Sequence, residues 1–365
     1  MNLEQQLRKM VKPSRLYKEI HTNNRSYLQC LACAHQCKIA PGKKGICQVR
    51  FNEDGKLYVP YGYIASWQVD PIEKKPFFHA YPGASALSYG MLGCDLHCSY
   101  CQNWQISQTL RDENAGTNPI EATPEQIVDS AIRFGARAVV STYNEPLITS
   151  EWSRDVFELA KKNGLATGYV SNGNATPEVL DFIRPVTDLY KIDLKTFNDK
   201  NYRALGTSLE KVLNGIKEVY KRKFWLEIVT LLIPGFNDSP EEIHQMAEFL
   251  ADISTDIPWH ITAFHPDYKM NDKRYTSAKD LIKAGTIAKE HGIKFVYLGN
   301  IRGLEDWENT ICPNCNTTLI RRDVFRIKDY AITEKGTCPE CNTKIPGIWE
   351  KPSERISDLP FVVRF

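Results

Sequence analysis

The sequence predicts an α/β fold built from parallel βα units, with small cysteine-rich metal-binding modules at both ends. Two observations carry this. From about Ser85 to Leu298, short apolar runs alternate with helical stretches at a period of about thirty residues, the rhythm of a parallel sheet. Ten of the eleven cysteines fall in short-spaced clusters at 30–37, 94–101 and 312–341, and Cys47 stands a little apart. At 365 residues the chain can form one large domain with appendages, or two ordinary domains.

The expected strands are the apolar runs Ala86 to Met91, Ala138 to Thr142, Ala166 to Val170, Asp188 to Ile192, Trp225 to Ile233, Trp259 to Phe264 and Lys294 to Leu298. Most are too short for helices. The helices between them carry start signals. In Thr123-Pro124-Glu125, Thr123 can cap, Pro124 suits the first turn and Gly135 can end the helix. Thr176-Pro177-Glu178 and Ser239-Pro240-Glu241 repeat the device. Ile127, Val128, Ala131 and Ile132 share one helical face, a packing surface for the sheet. Periodicity alone leaves a closed barrel, a partly open barrel and a doubly wound sheet all possible.

Charge is nearly balanced, 46 Lys plus Arg against 44 Asp plus Glu, so no global field favours nucleic acid or an anionic membrane. Met1 to Tyr17 is interrupted by Glu4, Arg8, Lys9, Lys12 and Arg15 and lacks a signal-peptide core. The most apolar run, Phe224 to Ile233, is broken by Glu227 and is far too short to span a bilayer. No membrane segment and a cytoplasmic location are expected, and clustered cysteines there read as metal ligands rather than disulfides.

The run Gly93-Cys94-Asp95-Leu96-His97-Cys98-Ser99-Tyr100-Cys101 presents three thiolates from one tight loop. Four cysteines close a metal site, whereas three leave a coordination position for a ligand to bind and react. Zinc held by the three cysteines and His97 is the competing arrangement. The C-x-x-x-C-x-x-C spacing, with Tyr100 before the last cysteine, resembles the signature of radical S-adenosylmethionine (SAM) enzymes. That resemblance implies a 4Fe-4S cluster on Cys94, Cys98 and Cys101. SAM would chelate the fourth iron and be cleaved to methionine and a 5′-deoxyadenosyl radical that abstracts hydrogen. It also implies a partial (β/α)6 barrel, in which functional groups gather at the C-terminal ends of the strands.

The strand ends fit that rule. Thr142-Tyr143-Asn144-Glu145-Pro146 follows the second strand and matches the position of the family's SAM-amino motif, with Tyr143 and Asn144 in place of its glycines. The resemblance assigns Glu145 and Asn144 to SAM; without it, Glu145 reads as a loop acid. Ser171-Asn172-Gly173-Asn174 is a polar turn able to offer backbone NH and amide groups to a ribose or carboxylate, with Asn172 the chosen contact. Asp193 and Lys195 fall on one side of an extended segment, either as SAM contacts like a similar pair in glycyl-radical-enzyme activases or as a salt bridge. The loop Ile233 to Asp238, including Gly235, resembles the family's adenine-packing loop. Of His260 near the start of the sixth strand and His265 at its end, only His265 is placed to reach substrate, and a buried histidine satisfied by a backbone carbonyl is the alternative.

Cys312-Pro313-Asn314-Cys315 and Cys338-Pro339-Glu340-Cys341 form a zinc-ribbon pattern that could also hold rubredoxin-type iron. Cys30, Cys33, Cys37 and Cys47 suit structural zinc or a second Fe-S cluster, with His35 as a substitute ligand. The expected divisions are an N-terminal metal module at 1–60, a connecting segment at 61–84, the barrel at 85–304, the ribbon at 305–350 and a tail at 351–365. The strings Asp70-Pro71-Ile72-Glu73-Lys74-Lys75-Pro76, His79-Ala80-Tyr81-Pro82-Gly83, Tyr100-Cys101-Gln102-Asn103-Trp104 and Leu298-Gly299-Asn300 resemble the radical SAM component of the AmmeMemoRadiSam system, a branch related to pyruvate formate-lyase activating enzymes. This implies AMMECR-type and Memo-type partners and a flavodoxin or ferredoxin-like electron donor. Two alternatives stand beside it: a glycyl-radical enzyme activase, and a multi-zinc module that binds RNA or protein, for which Arg321-Arg322 is a small basic feature.

Overall fold

A computed structural model describes residues 3–22 and 25–352; the expected tail lies, beyond Pro352, outside the described residues. The main sheet has eight strands: β1 (Ser66–Pro71), β2 (Ser85–Gly90), β3 (Ala138–Ser141), β4 (Ala166–Ser171), β5 (Leu189–Asp193), β6 (Trp225–Leu232), β7 (Trp259–Ala263) and β8 (Val296–Gly299). They lie side by side in sequence order, with β2 through β8 parallel and β1 antiparallel to β2. All seven expected strands form, with ends within two residues of expectation. The sheet is longer than six strands because β8 adds a seventh parallel strand. Ser66–Pro71, inside the expected connector, adds an antiparallel edge. Among the described residues β1 and β8 do not pair, so the barrel is open on that side.

Helices α1 (Pro124–Arg133), α2 (Ser150–Lys162), α3 (Pro177–Ile183), α4 (Leu209–Lys221), α5 (Pro240–Ile253) and α6 (Ala278–Glu290) fill the crossovers from β2 to β8. Three start where the sequence marks a cap. Thr123 Oγ1 accepts from Gln126 N at 3.2 Å while Gln126 Oε1 accepts from Thr123 N at 2.9 Å. Thr176 and Ser239 cap α3 and α5 through Val179 N and Glu242 N. Ile127, Val128 and Ala131 are buried by α1, but Ile132 turns outward and is 49% exposed, because the sheet-facing stripe is narrower than the four-residue set.

The flanks pack onto this frame. Near the N-terminus, Tyr17–Thr22, Arg25–Cys30 and Lys38–Ile39 make one antiparallel sheet, and Val11–Pro13, Lys56–Pro60 and Phe51–Glu53 another. The C-terminal ribbon is the three-stranded sheet β9 (Thr310–Ile311), β10 (Thr318–Asp323) and β11 (Arg326–Tyr330). Its core of Leu319, Ile320, Ile327 and Ile345 is continuous with Phe78, Phe295 and Tyr297, so the ribbon shares a hydrophobic core with the end of the sheet. Ile348 N donates to His79 O at 2.7 Å and Tyr81 N to Ile348 O at 2.9 Å, which stitches the segment after the ribbon cysteines to the segment after β1.

Candidate functional site

The three-cysteine loop leaves β2 and is held from behind. Gly93 sits at φ +89°, where a side chain would strike Val49 and the carbonyl of Cys47, so only glycine fits the turn. Asp95 points inward and is fully buried, accepting from the amides of Asn172 and Asn174, each at 2.7 Å. Arg111 donates to the carbonyls of Leu96 at 3.0 Å and Cys94 at 2.7 Å. The result is a rigid bracket that turns Cys94, Cys98 and Cys101 into one cavity. His97 is exposed with its ring against Gly206, and it does not line that cavity.

The cavity has a volume of about 470 Å³ and lies at the C-terminal ends of the parallel strands. Of the sequence-expected residues, Cys94, Cys98, Tyr100, Cys101, Asn144, Glu145, Asn172, Asp193 and Lys195 all line it. Gly235 and His265 do not. Gly235 is exposed at φ +70°, with its N–H on Asp238, and its loop reaches the cysteine loop through Phe236, whose ring meets Tyr100 at 5.6 Å. His265 lies two residues past the end of β7, exposed, with Nε2 3.0 Å from Gln102 Nε2. Strand alternation instead puts His260 and Thr262 on the cavity side, which corrects the expectation that His265 alone is placed to reach substrate. His260 Nε2 is 2.7 Å from Glu227.

Glu145 is 1% exposed and accepts three hydrogen bonds: Asn172 N at 2.7 Å, Ser171 Oγ at 2.8 Å and Leu147 N at 3.0 Å. The polar turn after β4 therefore does bind a carboxylate, and it is the protein's own. All three donors are neutral; burial first, and then the Asp95 charge, push Glu145 up to about 8. The Nδ2 of Asn144 beside it is buried with no partner, while its Oδ1 accepts from Met91 N. A ligand carrying an ammonium group would supply the positive charge this corner lacks.

The thiols tell the same story. Burial raises all three, Cys98 to about 12, so the thiolate form needs positive charge from a bound metal. Asp193 is bound by both Lys195, at 3.1 Å, and Lys191, which holds its other oxygen. Thus the Asp193–Lys195 pair is a salt bridge that also faces the cavity. Lys191 went unread in the sequence although strand alternation puts residues 191, 193 and 195 on one side. Asp95 also escaped, because its partners lie more than seventy positions away.

At the open side of the barrel, Glu73, Lys74, Lys75, Pro76 and Phe78 from the segment after β1 line the cavity, together with Val324 and Phe325 from the β10–β11 turn. Arg322 fixes this wall, donating to Phe78 O at 2.9 Å and Thr310 Oγ1 at 2.8 Å. It is 1% exposed, so Arg321-Arg322 is not a surface basic pair; successive residues of β10 face opposite sides, and Arg321 alone points outward. In the ribbon, Cys312 Sγ lies 3.5 Å from Cys341 Sγ, and Cys315 Sγ lies 3.6 Å from Cys338 Sγ. Among the described residues this is the one group of metal-type ligands whose donor atoms all fall within 4.8 Å of one another. No described helix is long and apolar enough to cross a membrane.

Residues 89–250 match the family model of the radical SAM superfamily, so the chain carries a radical SAM domain. It shares its family with uncharacterized protein MJ0808 of Methanocaldococcus jannaschii, 38% identical over 321 residues that cover 87% of this chain and 95% of that one. Pyruvate formate-lyase 1-activating enzyme of Escherichia coli is a more distant homologue, 25% identical over 238 residues, 59% of this chain and 93% of that enzyme. A radical SAM methyltransferase from Sphaerobacter thermophilus superposes with a TM-score of 0.49 at 13% identity, covering 80% of this chain and 78% of the other. A radical SAM domain implies a 4Fe-4S cluster and SAM.

Proposed function

We propose that the protein reductively cleaves SAM at a 4Fe-4S cluster held by Cys94, Cys98 and Cys101 and uses the resulting radical to take hydrogen from a substrate in the cavity. The observation that carries this is the corner where three buried thiols share one chamber with Glu145, a carboxylate given only neutral partners, and with the unpartnered Nδ2 of Asn144. When bound, the cluster and SAM supply the electron and the 5′-deoxyadenosyl radical.

The chain's own residues do the rest. Glu145 and Asn144 are set to take the amino end of SAM, and the Lys191–Asp193–Lys195 row offers both signs of charge along the neighbouring strand. Asp95 with its two asparagines holds the cysteine loop in place. Val324, Phe325 and Phe78 screen the radical's chamber from solvent on the open side of the barrel.

The ribbon cysteines suit zinc, whose bonds of about 2.3 Å to sulfur set tetrahedral edges near the observed 3.5 and 3.6 Å. The cysteine modules and the strings quoted above support membership in the AmmeMemoRadiSam branch, hence AMMECR-type and Memo-type partners and a flavodoxin or ferredoxin-like donor. Activation of a glycyl-radical enzyme is the second reading, favoured by the homology to pyruvate formate-lyase 1-activating enzyme. It requires a partner's glycine loop to enter a chamber that the ribbon walls on one side.

The test is anaerobic purification with iron, sulfide and zinc analysis, then dithionite reduction with SAM. Formation of 5′-deoxyadenosine is expected. A fully iron-loaded sample that yields none would overturn the proposal and leave the metal-dependent binding module.

A further inference from the structure

The four N-terminal cysteines are not spaced like the ribbon. Zinc draws four sulfurs into a tetrahedron, as the ribbon set shows, whereas a cube-shaped cluster puts an iron and a face of the cube between neighbouring thiolates and holds them farther apart. Cys30, Cys33, Cys37 and Cys47 do not contract to the ribbon's spacing, and nor do the three cysteines of the cavity. Yet they gather at one place: Cys30 N donates to Cys37 O at 3.0 Å, Gln36 N to Cys33 O at 3.0 Å, and Ile46, the residue before Cys47, turns its N–H to Cys37 Sγ. Cys30, Cys33 and Cys47 are each about 5% exposed, and two donors reach the sulfurs, Arg50 Nη1 at 3.9 Å from Cys30 Sγ and Ile46 N at 3.5 Å from Cys37 Sγ. Burial and hydrogen bonds to sulfur are levers that tune iron–sulfur clusters.

This module also lies directly behind the cysteine loop of the cavity. One nitrogen of Arg111 binds the carbonyls of both Ile46, at 2.5 Å, and Cys94, at 2.7 Å. The carbonyl of Cys47 closes on Gly93, the residue before Cys94. His35 Nε2 lies 3.8 Å from Asp95. Cys94 and the residue before Cys47 are thus joined through a single guanidinium. Lys38 and Lys43 of this module are both exposed, positive charges of the kind that draw an acidic protein donor.

We propose that Cys30, Cys33, Cys37 and Cys47 hold a second iron–sulfur cluster, through which electrons enter the cavity cluster from an acidic flavodoxin- or ferredoxin-class protein. The donor gives up one electron and the outer cluster is reduced by one. The electron then moves inward, which reoxidises the outer cluster, and is consumed with the breaking of the S–C5′ bond of SAM. The relay role rests on the proposed function; the metal content of the module does not.

The first experiment is metal analysis and electron paramagnetic resonance on full-length Cys101→Ser, in which the cavity cluster is disabled. After anaerobic reconstitution, about four irons with matching sulfide are expected, together with a dithionite-induced paramagnetic signal. The intact protein should hold about eight. Zinc in the module, or no iron in Cys101→Ser while the intact protein holds about four, overturns the proposal.

The relay is tested with Cys37→Ser, the least buried of the four. The ratio of 5′-deoxyadenosine formed with reduced flavodoxin to that formed with dithionite is expected to fall by about tenfold or more. An unchanged ratio in a sample that has lost the outer iron overturns the relay. Zinc retained by the ribbon reports that the variant has folded, and if it has not, the metal counts of Cys101→Ser and the intact protein still decide the module. Absence of 5′-deoxyadenosine from the intact, iron-loaded protein with dithionite would instead refute the SAM-cleavage reading and leave the metal result standing.

Discussion

If Glu145 takes the amino end of SAM as proposed, SAM binding depends on pH with a sign set by the direction of its shift. Its ordinary value of 4.5 is pushed up to about 8 by burial and by Asp95, so in the empty site it is mostly protonated at neutral pH. Docking an ammonium group requires the carboxylate, and binding must therefore expel a proton. At pH 7, one unit below that value, the expulsion costs about 1.4 kcal/mol, or about tenfold in affinity. Apparent affinity for SAM should climb about tenfold per pH unit from 6 to 8 and then flatten. The same linkage makes the ligand-free fold lose stability as pH rises from 4.5 towards 8, because the folded state keeps its proton longer than the unfolded state. Equilibrium dialysis of SAM against cluster-free protein, in which the ammonium group stays protonated, at pH 6, 7 and 8 measures this. Glu145→Gln should bind more weakly by about ten- to a hundredfold, the loss of one charged hydrogen bond, and without pH dependence. An affinity for the unmodified protein that is flat from pH 6 to 8 would show that Glu145 is already ionised and would refute the reasoning.

Other outcomes follow from the same geometry. Cys98→Ala should form no 5′-deoxyadenosine while the ribbon keeps its metal; activity surviving in a reconstituted sample would remove the triplet from the chemistry. Gly215 of α4 packs on the turn after β4 so closely that a Cβ there would lie 1.9 Å from Gly173 O. Gly215→Ala should therefore cost about 1–3 kcal/mol, seen as a lower thermal midpoint with faster iron loss, and an unchanged midpoint would contradict the packing. Chelating the ribbon metal should expose the amides of Tyr81 and Ile348 to hydrogen exchange, since each bonds across to the other segment's chain; undiminished protection would mean the ribbon holds without metal.

Much of this was legible in the sequence because the βα repeat writes its own punctuation. Thr123, Thr176 and Ser239 each announce a helix and each caps one. The cysteine triplet and Glu145 meet because parallel strands deliver their following loops to one end. What stayed hidden was what required knowing which side of a strand faces in. His260 and Arg322 are buried by alternation that no motif marks; His265 stood out in place of the first, and Arg322 reads with Arg321 as one basic feature. Ser66–Pro71 looks like a connector because an antiparallel edge strand has no helix to announce it. Asp95 is adjacent to a cysteine, yet its meaning lies in Asn172 and Asn174, which only the fold brings near.

The join between His79 and Ile348 spans most of the chain, and so does that between His79 Nδ1 and Pro346 O at 2.7 Å. A ribosome makes the two sides of that seam far apart in time. Until Cys338 and Cys341 have emerged, the open flank of the barrel has no wall, Phe78 and Tyr297 lack their cover, and the cavity stands open to water. If the ribbon takes the proposed zinc, capture of that ion completes a wall for a cavity whose other residues were synthesised much earlier.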